Sequence, residues 1–326
     1  MTPLYSMLIR VSEKTGIPVK KILDMFFLLK KGEPLENNYL LQKVGLSKNA
    51  ANQVKESLSN LFQPSSLKTQ LRKDVLDQVQ SLFEDEFKLE ESFWTVLEND
   101  NFERIVKLLN KYSNLRPSAK REYDQFTATL ETTARRATLI EFFGDIKDKR
   151  LLFLGDDDFT SVAIASFKTA RDIVAADIDD RILDNIKIVS QKEGFEVRTM
   201  SYDARKALPK DLRGKFDAVF TDPPYTQMAV ELFISRAVAA LDATNQSARI
   251  YACYGNSDRA KERFLPVYDV FVKSGLMTRW VFDKFNRYAG AESIGNSSTL
   301  FICDVTPKTK PIISNKDYSE PIYTFN

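Results

Sequence analysis

Apolar positions recur every three to four residues through the first third of the chain, then gather into short, near-continuous runs. Leu4–Val11, Val19–Leu29 and Leu40–Val44 carry apolar residues at helical spacing. Another helix is expected after Ser47, a suitable N-cap, through Ala50, Val54, Leu58 and Leu61. Further helices are expected over Leu67–Phe83, Glu90–Leu97 and Phe102–Tyr112, with dense charge on their solvated faces. A helix, a short turn holding Gly45 and a second helix outline a helix-turn-helix. A reader of DNA projects Arg or Asn from its second helix toward the bases. Lys48, Asn49, Asn52 and Gln53 are a thin version of that set. The expectation is therefore a small helical module used for packing or dimer contact, and nucleic acid is not expected as a partner.

Asn114-Leu-Arg116-Pro117-Ser118 is a linker signal, and Glu131-Thr-Thr-Ala-Arg135-Arg136 sits in an expected helix. From Arg150 the texture changes. Leu151–Leu154, Asp172–Ala176, Val197–Ser201, Phe216–Thr221 and Ala248–Tyr254 read as strands. Phe159–Phe167, Asp180–Glu193 and Met228–Leu241 read as the helices between them. Strands alternating with helices mean βαβ units and a parallel, doubly wound α/β sheet of Rossmann-like type. After Phe264–Lys273, Met277–Asn286 and Ser298–Asp304 suit an antiparallel pair at the sheet edge, and the tail beyond Pro307 suits a strap or a disordered end. The expected division is a helical, winged-helix-like domain over 1–115, a Rossmann-like domain over 116–312, and a tail over 313–326.

Composition narrows the chemistry. The 326 residues allow two ordinary domains, and 43% apolar with 28% charged residues fits a globular protein. A net charge of +2 gives no case for a nucleic-acid or membrane partner. With no His in the chain, imidazole catalysis and nearly all zinc sites are excluded. Cys253 and Cys303 each sit inside an apolar run, which excludes a disulfide framework. No apolar stretch reaches bilayer length and Met1-Thr2-Pro3 opens no signal peptide, so a cytoplasmic location is expected.

The most informative stretch is Val219-Phe-Thr-Asp222-Pro223-Pro224-Tyr225. Two prolines stop the strand and stiffen the turn. The turn offers a carboxylate (Asp222), an unpaired carbonyl (Asp222 or Pro223) and a ring face (Tyr225), a set suited to holding and aiming an amine nitrogen. Such a motif marks enzymes that alkylate amino nitrogens with an adenosyl-sulfonium donor, so the sheet is of methyltransferase type. In an open α/β sheet, ligands sit beyond the carboxyl ends of the strands. The first strand ends in Gly155-Asp156-Asp157-Asp158, the second in Asp177-Ile-Asp179-Asp180 and the third at Tyr202-Asp203. Asp177 is placed for ribose hydroxyls and Asp203 for the adenine amino group. Helix capping and Mg²⁺ binding are the simpler readings of these acids. A methyltransferase meets the donor's carboxylate with a glycine-rich turn; here Gly155 alone remains, followed by three aspartates. Two like charges about 4 Å apart at an effective dielectric of about 20 repel by roughly 4 kcal/mol. The loop therefore disfavours an anionic donor tail and attracts ammonium groups.

Arg121-Glu122-Tyr123-Asp124-Gln125, Glu131-Thr-x-x-Arg135-Arg136, Gly155-Asp-Asp-Asp158, Asp177-Ile-Asp179 and Thr221-Asp-Pro-Pro-Tyr-Thr226 follow one another in an order that resembles the N4-bis(aminopropyl)spermidine synthase (branched-chain polyamine synthase) family. The likeness is strong over about 116–305 and weaker before it, where that family also carries a winged-helix-like module. Tyr254-Gly255-Asn256-Ser257 departs from the family pattern and opens the identity of the acceptor more than the reaction. The resemblance implies transfer of an aminopropyl group from decarboxylated S-adenosylmethionine, as co-substrate, to the internal secondary amine of spermidine or a related polyamine. No bound cofactor, metal or membrane is implied, and a homodimer is expected. It implies that Asp158, Asp157 or Asp222 handles the amine proton, with the acidic loop favoured. Asp156, Pro223, Tyr225, Glu122 and Asp124 would hold the polyamine, and Gly155, Asp177, Asp179 and Asp203 the donor. The competing readings are an amino-N methyltransferase acting on nucleic acid, and a polyamine-sensing or DNA-binding regulator on a dead catalytic fold.

Overall fold

A computed structural model of the chain describes residues 3–84, 97–255, 261–289 and 296–324. Of the expected features, residues 90–96 of the Glu90–Leu97 helix lie outside the described residues, as do Asn256 and Ser257. The chain forms two compact units: Met1–Thr95 with Asn256–Glu262 and Arg287–Ser297, and Val96–Gly255 with Arg263–Asn286 and Ser298–Asn326. Among the described residues no helix is long and apolar enough to cross a membrane.

In the first unit, α1 (Pro3–Thr15), α2 (Val19–Leu29), α3 (Asn37–Val44) and α4 (Lys48–Ser57) follow the helical spacing of the sequence. Ile22, Met25, Phe26 and Leu29 of α2, Leu40 and Val44 of α3 and Ala50 and Val54 of α4 bury their one apolar stripe in a common core. Ser47 caps α4 by accepting the Ala50 N–H at 3.1 Å. Two expectations are corrected here. The unit is not all helical: β1 (Leu35–Glu36) and β2 (Lys68–Thr69) pair antiparallel, and Phe62 bridges Leu71 beyond them. The expected helix over Leu67–Phe83 shrinks to α5 (Leu76–Gln80) flanked by 3₁₀ turns. Pro64-Ser65-Ser66 turns the chain back, so Leu71 is drawn into the ladder and the core while Leu67 stays 75% exposed at the tip. Helix, turn, helix and a short β-ribbon follow one another in the order of a winged helix-turn-helix.

The second unit is built on strands β3 (Arg150–Leu154), β4 (Asp172–Asp177), β5 (Arg198–Ser201), β6 (Ala218–Thr221), β7 (Arg249–Gly255), β8 (Met277–Arg287) and β9 (Ser297–Asp304). Their order in the sheet is β5-β4-β3-β6-β7-β9-β8. The first five of these run parallel, and β9 turns antiparallel against β7, which leaves β8 on the edge as the sequence suggests. Helices α6 (Asp100–Lys111), α7 (Leu130–Phe142), α8 (Thr160–Ala165) and α9 (Asp180–Glu193) pack with the Leu151, Phe153, Ile173 and Phe220 face. Helices α10 (Gln227–Ala240) and α11 (Leu265–Lys273) pack with the Leu152, Leu154, Val219 and Ile250 face. With both faces covered, alternate residues of each strand serve opposite cores, which is why the strands read as unbroken apolar runs. The tail forms a strap. Tyr318 N–H donates to the Arg205 carbonyl at 2.7 Å, Thr226 Oγ1 donates to the Ile322 carbonyl at 2.8 Å, and Ile322 is buried.

Candidate active site

The strand order reverses between β3 and β6, so the loops after β4, β3 and β6 lie side by side at the carboxyl edge. Gly155 leaves β3 at φ +78°, a left-handed conformation that costs other residues about 1–2 kcal/mol. That turn brings the Asp156 N–H to Asp177 Oδ2 at 2.8 Å, while Asp177 Oδ1 accepts the Asp179 N–H at 2.8 Å. Asp177 thus stitches two strand ends together, and each oxygen keeps a further lone pair. Burial raises its carboxyl above the usual range despite these bonds.

Arg136, reached from α7 and only 1% exposed, is the hub of the site. Its Nη1 donates to Asp158 Oδ2 at 2.8 Å, its Nη2 to Asp222 Oδ2 at 2.7 Å and its Nε to Asn286 Oδ1 at 2.7 Å. The Phe220 ring lies 5.0 Å from the guanidinium carbon. Asp158 Oδ1 also accepts from Arg116 Nη2 at 2.9 Å and from the Ala128 N–H at 2.6 Å. Asp158 is therefore shared by two guanidinium groups and a backbone amide, and both its oxygens are occupied. That geometry does not suit the expected role of proton acceptor; the side chain ties the linker and α7 to the end of β3. Asp222 keeps its second oxygen near the Tyr225 hydroxyl, which donates to Oδ1 at 3.3 Å.

Asp157 is different. Half-buried, it takes no hydrogen bond or ion pair among the described residues. Burial holds its carboxyl well above the usual range, reinforced by the charges of Asp158, Asp177 and Asp222 and opposed by Arg136. It combines open lone pairs with a strong affinity for a proton. Neighbouring Asp156 is buried and accepts the Ser161 N–H, in the first turn of α8, at 3.2 Å. Burial pushes its carboxyl up to about 8, against the lowering effect of that bond. An unfolded Asp ionises near pH 3.9, so the folded chain binds more protons than the unfolded one between roughly pH 4 and 8. Stability falls as pH rises through that window. Asp156→Asn keeps an acceptor for Ser161 but cannot ionise. We expect its melting temperature to vary less than wild type from pH 5 to 8, and to exceed it at pH 8. Parallel pH profiles for the two proteins would refute the assignment.

The remaining expected residues divide. The Tyr225 ring packs at 5.4 Å from Tyr254, and a Cβ on Gly255 would meet the Tyr225 ring at 2.6 Å, so the glycine is what lets that ring lie over the turn. Pro223 is buried. Asp179 caps α9 and is gripped by Arg181, whose hydrogen bonds hold its carboxyl below the usual range, with Lys120 3.8 Å away. Asp203 is held in a two-pronged pair by Arg205 Nε and Nη2. Asp124 receives the Thr324 N–H at 2.8 Å and pairs with its hydroxyl, so it anchors the tail strap. Glu122 is exposed, with Lys120 Nζ at 3.9 Å. Asp179, Asp203 and Asp124 are thus already partnered within the chain. Among the described residues no three acids converge as metal ligands. Sequence reasoning missed Arg116, Asn286 and the central part of Arg136; the signal for the last was an arginine on the apolar face of a helix.

Residues 104–319 match the family model described as the branched-chain polyamine synthase A C-terminal domain. An uncharacterised protein of Methanocaldococcus jannaschii is 38% identical over 223 residues, 68% of this chain and 55% of its own length. An N(4)-bis(aminopropyl)spermidine synthase of the same organism is 38% identical over 142 residues, 43% of this chain and 41% of its own. The match thus spans about half the length of these curated relatives. The branched-chain polyamine synthase of Thermus thermophilus, solved with N4-aminopropylspermidine and 5′-methylthioadenosine, shares the fold at a TM-score of 0.69 and 18% identity, covering 98% of this chain and 97% of that one. Family match, strand order and the acidic loop beside Asp-Pro-Pro-Tyr agree: the chain belongs to the branched-chain polyamine synthase family.

Proposed function

We propose that the chain transfers the aminopropyl group of decarboxylated S-adenosylmethionine to the internal secondary amine of spermidine or a related polyamine, releasing methylthioadenosine. The observation that carries this reading is Asp157, an unpaired carboxyl set among three other acids where a methyltransferase has glycines. A cationic guest is the species such a pocket favours, because bringing in positive charge relieves the repulsion among the acids. The amine arrives protonated and lacks a lone pair. Asp157 takes its proton. The freed lone pair forms the new C–N bond at the carbon next to sulfur, in line with the breaking C–S bond, whose electrons stay on sulfur. Asp222, aimed by Arg136, and the Pro223 carbonyl orient the nitrogen. The Tyr225 face adds a cation–π contact of about 1–2 kcal/mol when desolvated. Gly155 and Asp177 are the residues best placed for the donor, with lone pairs of Asp177 left for ribose hydroxyls. Alignment and fixed charge supply most of the acceleration.

The test is incubation of the protein with spermidine and either donor, followed by mass spectrometry. Aminopropyl addition with the decarboxylated donor and none with ordinary S-adenosylmethionine is the expected result. Methylation by the ordinary donor, or no transfer from the decarboxylated one, overturns the reading.

A further inference from the structure

The winged helix-turn-helix plays no part in the chemistry above, yet its outer face has a specific charge arrangement. Within the first unit, α3, α4 and the wing enclose a concavity of about 680 Å³. Lys48, Asn52 and Lys55 line it from one face of α4, spaced so that they stack along the helix. Ser65, Ser66 and Thr69 line it from the wing, and Asn38 from the first turn of α3. Lys20, Lys68 and Arg72 of the same unit are each within 3.2 Å of a carboxylate. Lys48 and Lys55 take no ion pair among the described residues; Lys55 Nζ reaches only the Thr69 hydroxyl, at 3.5 Å. Burial lowers the Lys55 ammonium from its usual value, and the nearby charge of Lys48 lowers it further. Glu36 also lines the hollow but is paired with Lys68 at 3.2 Å, and the rest of the lining mixes hydroxyl, amide and aliphatic groups. Two cations are therefore held close together with no carboxylate of their own among the described residues. Such an arrangement is stabilised by an incoming negative charge.

We propose that this unit binds duplex DNA, with α4 entering the major groove and Lys48 and Lys55 meeting phosphates at its edge. The shape selects the nucleic acid: the major groove of B-form DNA admits a helix, whereas that of A-form RNA is too narrow and deep. Asn49, Asn52 and Gln53 on α4 are of the types that pair with adenine edges. The wing tip, where Leu67 is exposed, lies beside the flanking backbone in this docking. The interaction is independent of polyamine transfer. A second basic groove, of about 380 Å³, on α6 of the other unit is weaker, since Glu193 lies 2.7 Å from Lys111 and Arg104 donates to the Ser166 carbonyl.

The experiment is fluorescence anisotropy of the full chain with a labelled mixed-sequence DNA duplex across a KCl series. Binding is expected at low salt. The double variant Lys48→Ala/Lys55→Ala should weaken it about tenfold or more and reduce the slope of log affinity against log salt by roughly 2. A duplex RNA of the same sequence should bind at least about tenfold more weakly. Polyamine transfer by the double variant should equal wild type, a readout that also shows the chain is folded. Absence of DNA binding, unchanged binding by this variant, equal affinity for RNA, or a loss that follows Lys107→Ala/Lys111→Ala instead would each overturn the proposal.

Discussion

Asp157→Asn is expected to lower kcat by roughly 10²–10⁴-fold, the range for removing a positioned proton acceptor. The substitution preserves shape and leaves a hydrogen-bonding oxygen, so binding of both substrates should change far less than turnover. The pH profile is the more discriminating readout. A carboxyl held well above its ordinary value must lose its proton before it can accept one, so wild-type kcat/KM should rise with pH on its acidic side through the Asp157 ionisation. In the variant that rise should vanish. Asp158→Asn makes the contrast: its oxygens are occupied by Arg116, Arg136 and the Ala128 amide, so its loss should appear chiefly as lower stability. Near-normal turnover in Asp157→Asn, with the acidic limb intact, would remove Asp157 from the mechanism.

Arg136→Met is expected to cost roughly 3–5 kcal/mol, the penalty for leaving a buried charge without its partner. The reason lies in what the guanidinium leaves behind. Asp158 is nearly inaccessible, and Asp222 exposes only 10% of its side chain. Neither can recover in water what it loses in the pair. Urea denaturation measures the effect, and adding Asp222→Asn to Arg136→Met should restore part of it, because Asp158 keeps Arg116 and the Ala128 amide whereas Asp222 loses its guanidinium. A loss below about 1 kcal/mol would place the pair in the class of exposed bridges and contradict the burial seen here.

The sheet was legible because its strands are buried on both faces and its helices carry strong apolar stripes; α2 and α9 begin and end at the residues their spacing marks. The wing was not, since Leu67, Leu71, Val75 and Val79 keep helical spacing and only the pairing of Lys68–Thr69 with Leu35–Glu36 overrides it. At the site, the sequence located the acids but could not rank them. Which aspartate is free depends on where arginines from distant segments land, and Arg116 and Arg136 lie 42 and 22 residues before Asp158. Asp124 and Asp203 read as ligand-holding groups for the same reason: their partners, Thr324 and Arg205, become neighbours only through the strap and a tight turn.

The shared grip of Arg116 and Arg136 on Asp158 also bears on heat. Hydration of charged groups grows less favourable as temperature climbs, so removing such groups from water becomes cheaper, while hydrophobic attraction levels off. A reaction centre braced by enclosed ion pairs consequently keeps its shape over a temperature span in which one braced by apolar contacts alone would slacken.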